Sequence, residues 1–333
     1  MKPWIAVASV ALLSASAFAG AAEPIIDVHR HATWPGSDDA EYRERTLEEM
    51  DRNSVVLALL SLTEYSDVAD WADAAPGRFL AGPMIPCPRN LAEPRYRCFA
   101  AHEGWVDHAW LREQVERGKV AVIHEITISY AGLSPANPRL APYWQLAAEF
   151  DLPVGIHTQR GPGAGAPHSP REDPACCPDY DPAMGNPDLM RAVLDEHPGL
   201  RVWIQHVGAG RGDQPPFREE TLALLRDYPN VYVDLAITNG AMPGEQYEAT
   251  LRELIDAGFG DRIMFGSDNL PIAPILDRLH GIESRDHGRP SLFIVVHPCS
   301  CVEPGTARTP GLPGDCLPSG CSPCLRASLV KAP

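Results

Sequence analysis

The chain has 333 residues, with 44 acidic against 28 basic side chains and a formal net charge of −16. That balance argues against a nucleic-acid partner, because phosphate binding needs clustered Lys and Arg. No run of like charge and no basic amphipathic helix points to a membrane surface. Solubility is the plain meaning of the charge.

Taken from the start, residues 1–22 read as a signal peptide. Lys2 supplies the positive end, Ile5 to Leu13 the apolar stretch, and Ala17-Phe18-Ala19 the small-x-small cleavage pattern. The apolar stretch is short for a bilayer span. The expectation is therefore an exported protein, periplasmic or secreted, with no membrane attachment after cleavage. Residues 23–284 then form one domain, and 285–333 a separate tail.

The first run after the leader, Pro24 to Val28 followed by His29, Arg30 and His31, is apolar and β-branched and reads as a strand. Alternate residues share a face, so His29 and His31 project together, about 7 Å apart along the strand. Asp27 shares that parity and is positioned to orient a ligand from behind. Helical pattern over Tyr42–Arg52 precedes a strand at Val55–Leu62, and Val68–Ala75 precedes Phe79–Ile85. Asp107–Arg117 leads into Val120–Thr127, where Glu125 is the candidate and His124 points to the opposite face. Leu140–Phe150, Pro187–His197, Arg218–Tyr228 and Glu245–Ala257 lead into strands beginning at Pro153, Arg201, Val231 and Ile263. The fifth, sixth and eighth of these runs end in His157, His206 and Asp268.

Eight strand-then-helix units demand a parallel sheet with helices outside, and they close into a (β/α)8 TIM barrel of the α/β class. Active sites of that fold gather at the strand C-termini, where all the candidate groups fall. Each taken singly has a bland alternative: a strand-end His is also what a hydrogen-bonded core residue looks like, and Asp268 fits a helix N-cap. Ionisable groups closing five otherwise apolar strands are not what those alternatives produce. Together His29, His31, Glu125, His157, His206 and Asp268 read as a site for a divalent metal, with zinc the expected ion and one or two ions bound.

The connection from Gln159 to Gly185 is long and rich in Gly and Pro, and it leaves the tip of the fifth strand. His168 and Arg171 in it, and Arg211 in the loop after His206, are candidate substrate-binding residues. Of the nine cysteines, Cys87, Cys98, Cys176 and Cys177 lie in the barrel part, too few for a disulfide scaffold. From about Arg285 the strand-helix pattern vanishes into Pro, Gly, Ser and Cys. Cys299-x-Cys301 and Cys321-x-x-Cys324 have ligand-like spacing without a hydrophobic frame, so disorder is expected there, or a coding region read out of frame.

Over about Ile25 to Glu283 the chain resembles the amidohydrolase superfamily, in its amidohydrolase-related branch of metal-dependent TIM-barrel hydrolases. The carriers are IIDVHRH, the Glu of VIHEIT, PVGIHT, LRVWIQHVG, YPNVYVDL and RIMFGSDNLP. The resemblance implies metal-site roles for His29, His31, His157, His206 and Asp268. Glu125 matches a fourth-strand ligand that some relatives use. The implied reaction is hydrolysis of a small-molecule ester, lactone or amide by a metal-activated water, with Asp268 moving the proton and His206 or His157 polarising the carbonyl or completing the metal shell. Non-oxidative decarboxylation of a small carboxylic acid is the alternative on the same site. Phosphoester hydrolysis fits the acidic charge balance less well. An inactive exported metal-binding remnant, and a homo-oligomer, both stay open.

Overall fold

The computed structural model describes residues 24–33, 39–87, 99, 104–160, 179–210 and 216–283, with two further strands at 294–298 and 325–329. Its centre is a sheet of eight parallel strands in the order β1 to β8. These are β1 (Ile25–His31), β2 (Val55–Leu62), β3 (Phe79–Ile85), β4 (Ile123–Ile126), β5 (Val154–Gln159), β6 (Val202–Ala209), β7 (Val231–Asp234) and β8 (Ile263–Met264). Two backbone hydrogen bonds join the ends of the sheet: Val28 N–H donates to Phe265 O at 2.9 Å, and Asp268 N–H to His29 O at 2.8 Å. The barrel is thereby nearly closed, as the strand-helix alternation requires.

Around it lie α1 (Asp39–Arg52), α2 (Asp67–Ala74), α3 (His108–Glu116), α4 (Ala141–Glu149), α5 (Arg191–Glu196), α6 (Arg218–Asp227), α7 (Thr238–Ala241), α8 (Gly244–Asp256) and α9 (Ile272–Glu283). Each long helix buries one stripe, as in α1, where Tyr42, Thr46 and Met50 recur every four residues. Asp107 caps α3 by accepting from Trp110 N–H at 2.7 Å. Glu49 of α1 accepts from the first amide of α9, Ile272 N–H, at 2.9 Å, and so ties the last helix of the barrel to the first.

Apolar packing among the described residues falls into two main layers, with Tyr130 and Tyr180 forming a small third group. The larger fills the space between strands and helices, with Trp71, Leu111, Leu224 and Tyr247 among its buried members. The smaller draws only on strand positions and their near neighbours: Ile26, Val28, Leu59, Val122, Trp203 and Met264 form a plug inside the barrel. The plug forms the floor on which the groups at the strand C-termini stand.

Some elements differ from their sequence expectation. Ladder pairing in β4 begins at Ile123, not Val120, although Val120 and Val122 are buried. The expected helix at 187–197 is a 3-10 turn over Pro187–Met190 running into the short α5, because Pro187 and the Asn186 cap tighten its start. α7 was not anticipated. Within the tail expected to lack structure, the described residues are β9 (Ile294–Pro298) and β10 (Leu325–Leu329), paired antiparallel. The remainder of that tail, and the proposed leader, lie outside the described residues.

Candidate functional site

Three irregularities in the sheet build the site, and each falls on a strand that carries a candidate group. Between Asp27 and Arg30 the β1–β2 register slips, three steps on β1 matching two on β2. The same slip occurs on β4 between Ile123 and Ile126. A bulge of this kind turns consecutive side chains to one face and re-aims them. On β6 the register shifts between the partners of His157 and Gln159, where His206 and Val207 hold φ of 60° and 55°. Asp268 and Asn269, four and five residues beyond the end of β8, also have positive φ, 49° and 60°. Left-handed backbone at non-glycine residues, above all a β-branched one, persists only where the surroundings enforce it.

The result brings all six candidate groups together. His31 Nε2 lies 2.9 Å from Asp268 Oδ1, and His29 Nε2 lies 3.9 Å from the same oxygen. Glu125 Oε1 is 2.9 Å from His157 Nδ1, and its Oε2 is 3.8 Å from His31 Nδ1. His206 Nε2 completes the ring at 3.2 Å from His157 Nδ1. Three overlapping triplets have ligand atoms mutually within 4.8 Å: His29, His206 and Asp268; His29, His31 and Glu125; Glu125, His157 and His206. Asp268 is the most open of the set, its side chain 12% exposed, while His29 is fully buried. The cluster therefore faces solvent at the Asp268 side and stands on the apolar plug.

Hydrogen bonds fix which nitrogen each imidazole offers. Asp234 Oδ2 is 2.9 Å from His29 Nδ1, and a carboxylate only accepts, so the proton sits on Nδ1. His29 Nε2 is then a buried atom without a hydrogen-bond partner, turned towards Asp268. His206 Nδ1 donates to Ala236 O at 3.1 Å, leaving its Nε2 lone pair to the cluster. Tyr130 hydroxyl stands 3.3 Å from His157 Nε2, with Tyr180 stacked on the Tyr130 ring at 5.8 Å. An orphaned ring nitrogen beside carboxylates, with the opposite nitrogen held by a further carboxylate, is the arrangement of a divalent-metal ligand.

The electrostatics agree. Burial alone would push the His29 pKa down, but the carboxylates of Asp234, Asp268 and Glu125 outweigh it and raise it to about 10. Burial would likewise raise Asp268, yet the His31 hydrogen bond and the charges on His29 and His31 hold it far below the usual carboxylate range. Glu125 is lowered for the same reason, burial being outweighed by His31, His157 and His29. Burial pushes His206 the other way, to about 4, with His157 and His29 adding to it. Without a cation the cluster thus holds protons where a metal would supply the charge.

Two expectations need correction. Asp27 does not share the face of the histidines, although its Oδ1 accepts from the His29 amide at 3.2 Å. The bulge puts it on the outer side, where it accepts from Ser267 N–H at 2.9 Å and Ser267 hydroxyl at 2.6 Å beside Arg30. His124 does not point away: the β4 bulge turns it inward, edge-on to the His29 ring at 5.1 Å, and burial holds it neutral. Arg211, His168 and Arg171 lie outside the described residues. Asp234 was missed, although it closes β7 as Glu125 and Asp268 close their runs, and the same strand-end signal marks it. No sequence signal singles out Tyr130.

Against known proteins, the amidohydrolase family model matches residues 26–287. No curated protein matches. A solved structure assigned as a 2-pyrone-4,6-dicarboxylic acid hydrolase, from Acinetobacter baumannii with citric acid bound, aligns at a TM-score of 0.53 and 13% identity, covering 79% of this chain and 93% of its own. The 2,6-dihydroxybenzoate decarboxylase of Rhizobium aligns at 0.47 and 17% identity, over 78% of this chain and 92% of its own. A 5-carboxyvanillate decarboxylase from Novosphingobium aromaticivorans with bound manganese aligns at 0.46 and 14% identity, over 71% and 74%. The first of these likenesses carries the fold alone. With its family model spanning nearly the whole barrel, the chain belongs to the amidohydrolase family.

Proposed function

We propose that this barrel is a metal-dependent hydrolase of a small-molecule ester, lactone or amide, with zinc as the divalent ion, one or two per chain. The observation that carries the reading is His29 Nε2, buried, without a partner and aimed at Asp268, while Asp234 takes the proton on the other nitrogen. His29, His31, His206 and Asp268, with Glu125 and His157, would hold the ion. When bound there, zinc supplies a Lewis acid and lowers the pKa of water to about 7.

The chain's own groups account for the remaining steps. Asp268 is ionised and the most open of the set, so it accepts the proton of the attacking water and returns it to the leaving oxygen or nitrogen. His206 carries its proton on Nδ1, towards Ala236 O, so its Nε2 serves as a ligand and cannot donate to a carbonyl. This favours the metal-shell role over polarisation for His206. The apolar plug of Ile26, Val28 and Met264 keeps water from entering the site from below.

The same reading places the mature protein outside the cytoplasm, periplasmic or secreted. Its support is the leader pattern of residues 1–22 together with Cys87, which is disulfide-bonded and suits an oxidising compartment. No helix among the described residues is long and apolar enough to cross a membrane.

The test is turnover of a zinc-loaded sample on a panel of lactones, esters and amides. Activity that disappears in His29→Ala and survives in His108→Ala supports the proposal; His108 sits on α3 against Pro142 O, away from the cluster. Activity retained by His29→Ala refutes it. Release of CO2 without consumption of water would replace hydrolysis with decarboxylation.

A further inference from the structure

Asp234 receives more hydrogen bonds than any role in the proposed reaction requires. It is fully buried at the end of β7. Its Oδ2 accepts from His29 Nδ1 at 2.9 Å and from Trp203 Nε1 at 3.2 Å. Its Oδ1 accepts from two backbone amides, His206 N–H at 2.8 Å and Ala236 N–H at 3.1 Å. Four donors therefore converge on one carboxylate that touches neither solvent nor the mouth of the barrel.

We infer that Asp234 is the positioning residue that presets two ligands at once, His29 from β1 and His206 from β6, an assignment that rests on the metal reading of the site. One oxygen selects the tautomer of His29 and leaves its Nε2 lone pair facing Asp268. The other grips the amide of His206, where the chain enters the left-handed stretch of φ 60° and 55° that turns His206 into the cluster. The stretch is braced from its other side by Gly208 N–H, which donates to Thr158 Oγ1 at 3.1 Å. A β-branched residue such as Val207 does not take up positive φ unaided. The indole of Trp203, itself part of the plug, anchors the carboxylate to the barrel floor. Displacement of Asp234 would thus alter both imidazoles in one step.

Asp234→Asn separates the two jobs. The amide oxygen keeps the two backbone donors, and the amide NH2 is left facing His29 Nδ1 and the Trp203 indole N–H, which loses its acceptor. His29 must then accept there and carry its proton on Nε2, the nitrogen the metal needs. The probe is cobalt(II), titrated at pH 8 into the metal-free full chain and followed by its visible ligand-field bands. The expected result is a loss of affinity of about tenfold to a hundredfold with altered bands, at unchanged far-UV circular dichroism. Wild-type affinity and wild-type bands in Asp234→Asn overturn the assignment and leave the metal reading standing. If the wild-type chain binds no cobalt, the metal reading fails and the assignment with it. Should Asp234→Asn not fold, zinc-loaded wild-type protein labelled with 15N-histidine decides the matter. An exchange-protected proton on His29 Nδ1 supports the assignment, and coordination of His29 through Nδ1 overturns it.

Discussion

Gly266 sits between β8 and Asp268 where the barrel closes, and a Cβ there would lie 2.8 Å from His29 Cβ and 3.0 Å from Ala236 Cβ. Its backbone is not left-handed, so Gly266→Ala carries no conformational penalty and the space alone decides. Neither neighbour is the end of a flexible side chain: both atoms are fixed to backbone, one in β1 and one just after β7. Ordinary contact needs at least 3.4 Å, so the strands must part or His29 must shift by about half an ångström. Overpacking of this kind costs about 1–3 kcal/mol, or roughly 2–10 °C in melting temperature for a domain of this size. Catalytic constellations tolerate about 0.5 Å, and a misplacement of about 1 Å costs on the order of a hundredfold. We therefore expect Gly266→Ala to keep most of its stability and to lose about tenfold to a hundredfold in kcat/KM and in metal affinity. Melting, metal titration and turnover on one preparation measure all three. Full activity with an unchanged melting temperature would show that the His29 position is not set by the closure of the barrel, and the reasoning would be wrong.

Asp67, buried at the start of α2, has its pKa raised by burial from 3.8 to about 7, although Thr63 and Glu64 amides donate to it. The folded state then holds this proton more tightly than the unfolded chain, so stability is lost as pH climbs from about 4 to about 7 and is level above. At roughly 1.4 kcal/mol per tenfold change, Asp67→Asn should be more stable than wild type by up to about 4 kcal/mol at pH 8 and by less than half that at pH 5. Melting at the two pH values checks this, and a gain that does not grow with pH contradicts it. Metal binding should release about one proton near pH 8, because His29, raised to about 10, must give up its Nε2 proton. Calorimetry in buffers of different ionisation enthalpy reads the proton count, and affinity should rise with pH; a pH-independent affinity speaks against His29 as a ligand. Saturating zinc, at about a hundred times its Kd, should stabilise the fold by about 2.7 kcal/mol over chelator-treated protein, seen as a higher melting temperature. Identical melting curves would mean that the folded chain does not bind the ion.

The eight strands and their helices were legible because each strand is a continuous apolar run bounded by helical pattern, and that alternation admits few topologies. The site groups were legible because ionisable residues end those runs. What parity could not supply was the facing of Asp27 and His124. Strict alternation assumes an unbroken ladder, and both β1 and β4 carry a bulge at the positions in question. Nothing in IIDVHRH or VIHEIT marks where such a slip occurs, since it depends on the neighbouring strand. Asp268 lies beyond the two-residue ladder of β8, brought to the cluster by a positive-φ turn that Asp27 and Ser267 hold. Asp234 was readable by the strand-end rule, but its partners His29, Trp203, His206 and Ala236 come from two strands, β1 and β6, and the loop after β7, a meeting that only the closed barrel creates.

The most direct measurement is anomalous diffraction at the zinc edge from crystals of the zinc-loaded protein. A peak is expected within about 2.1 Å of His29 Nε2 and in contact with Asp268 and at least one of His31, Glu125 and His206. A structure in which His29 Nε2 stays unligated, or in which zinc collects only elsewhere on the chain, would contradict the metal reading of the site.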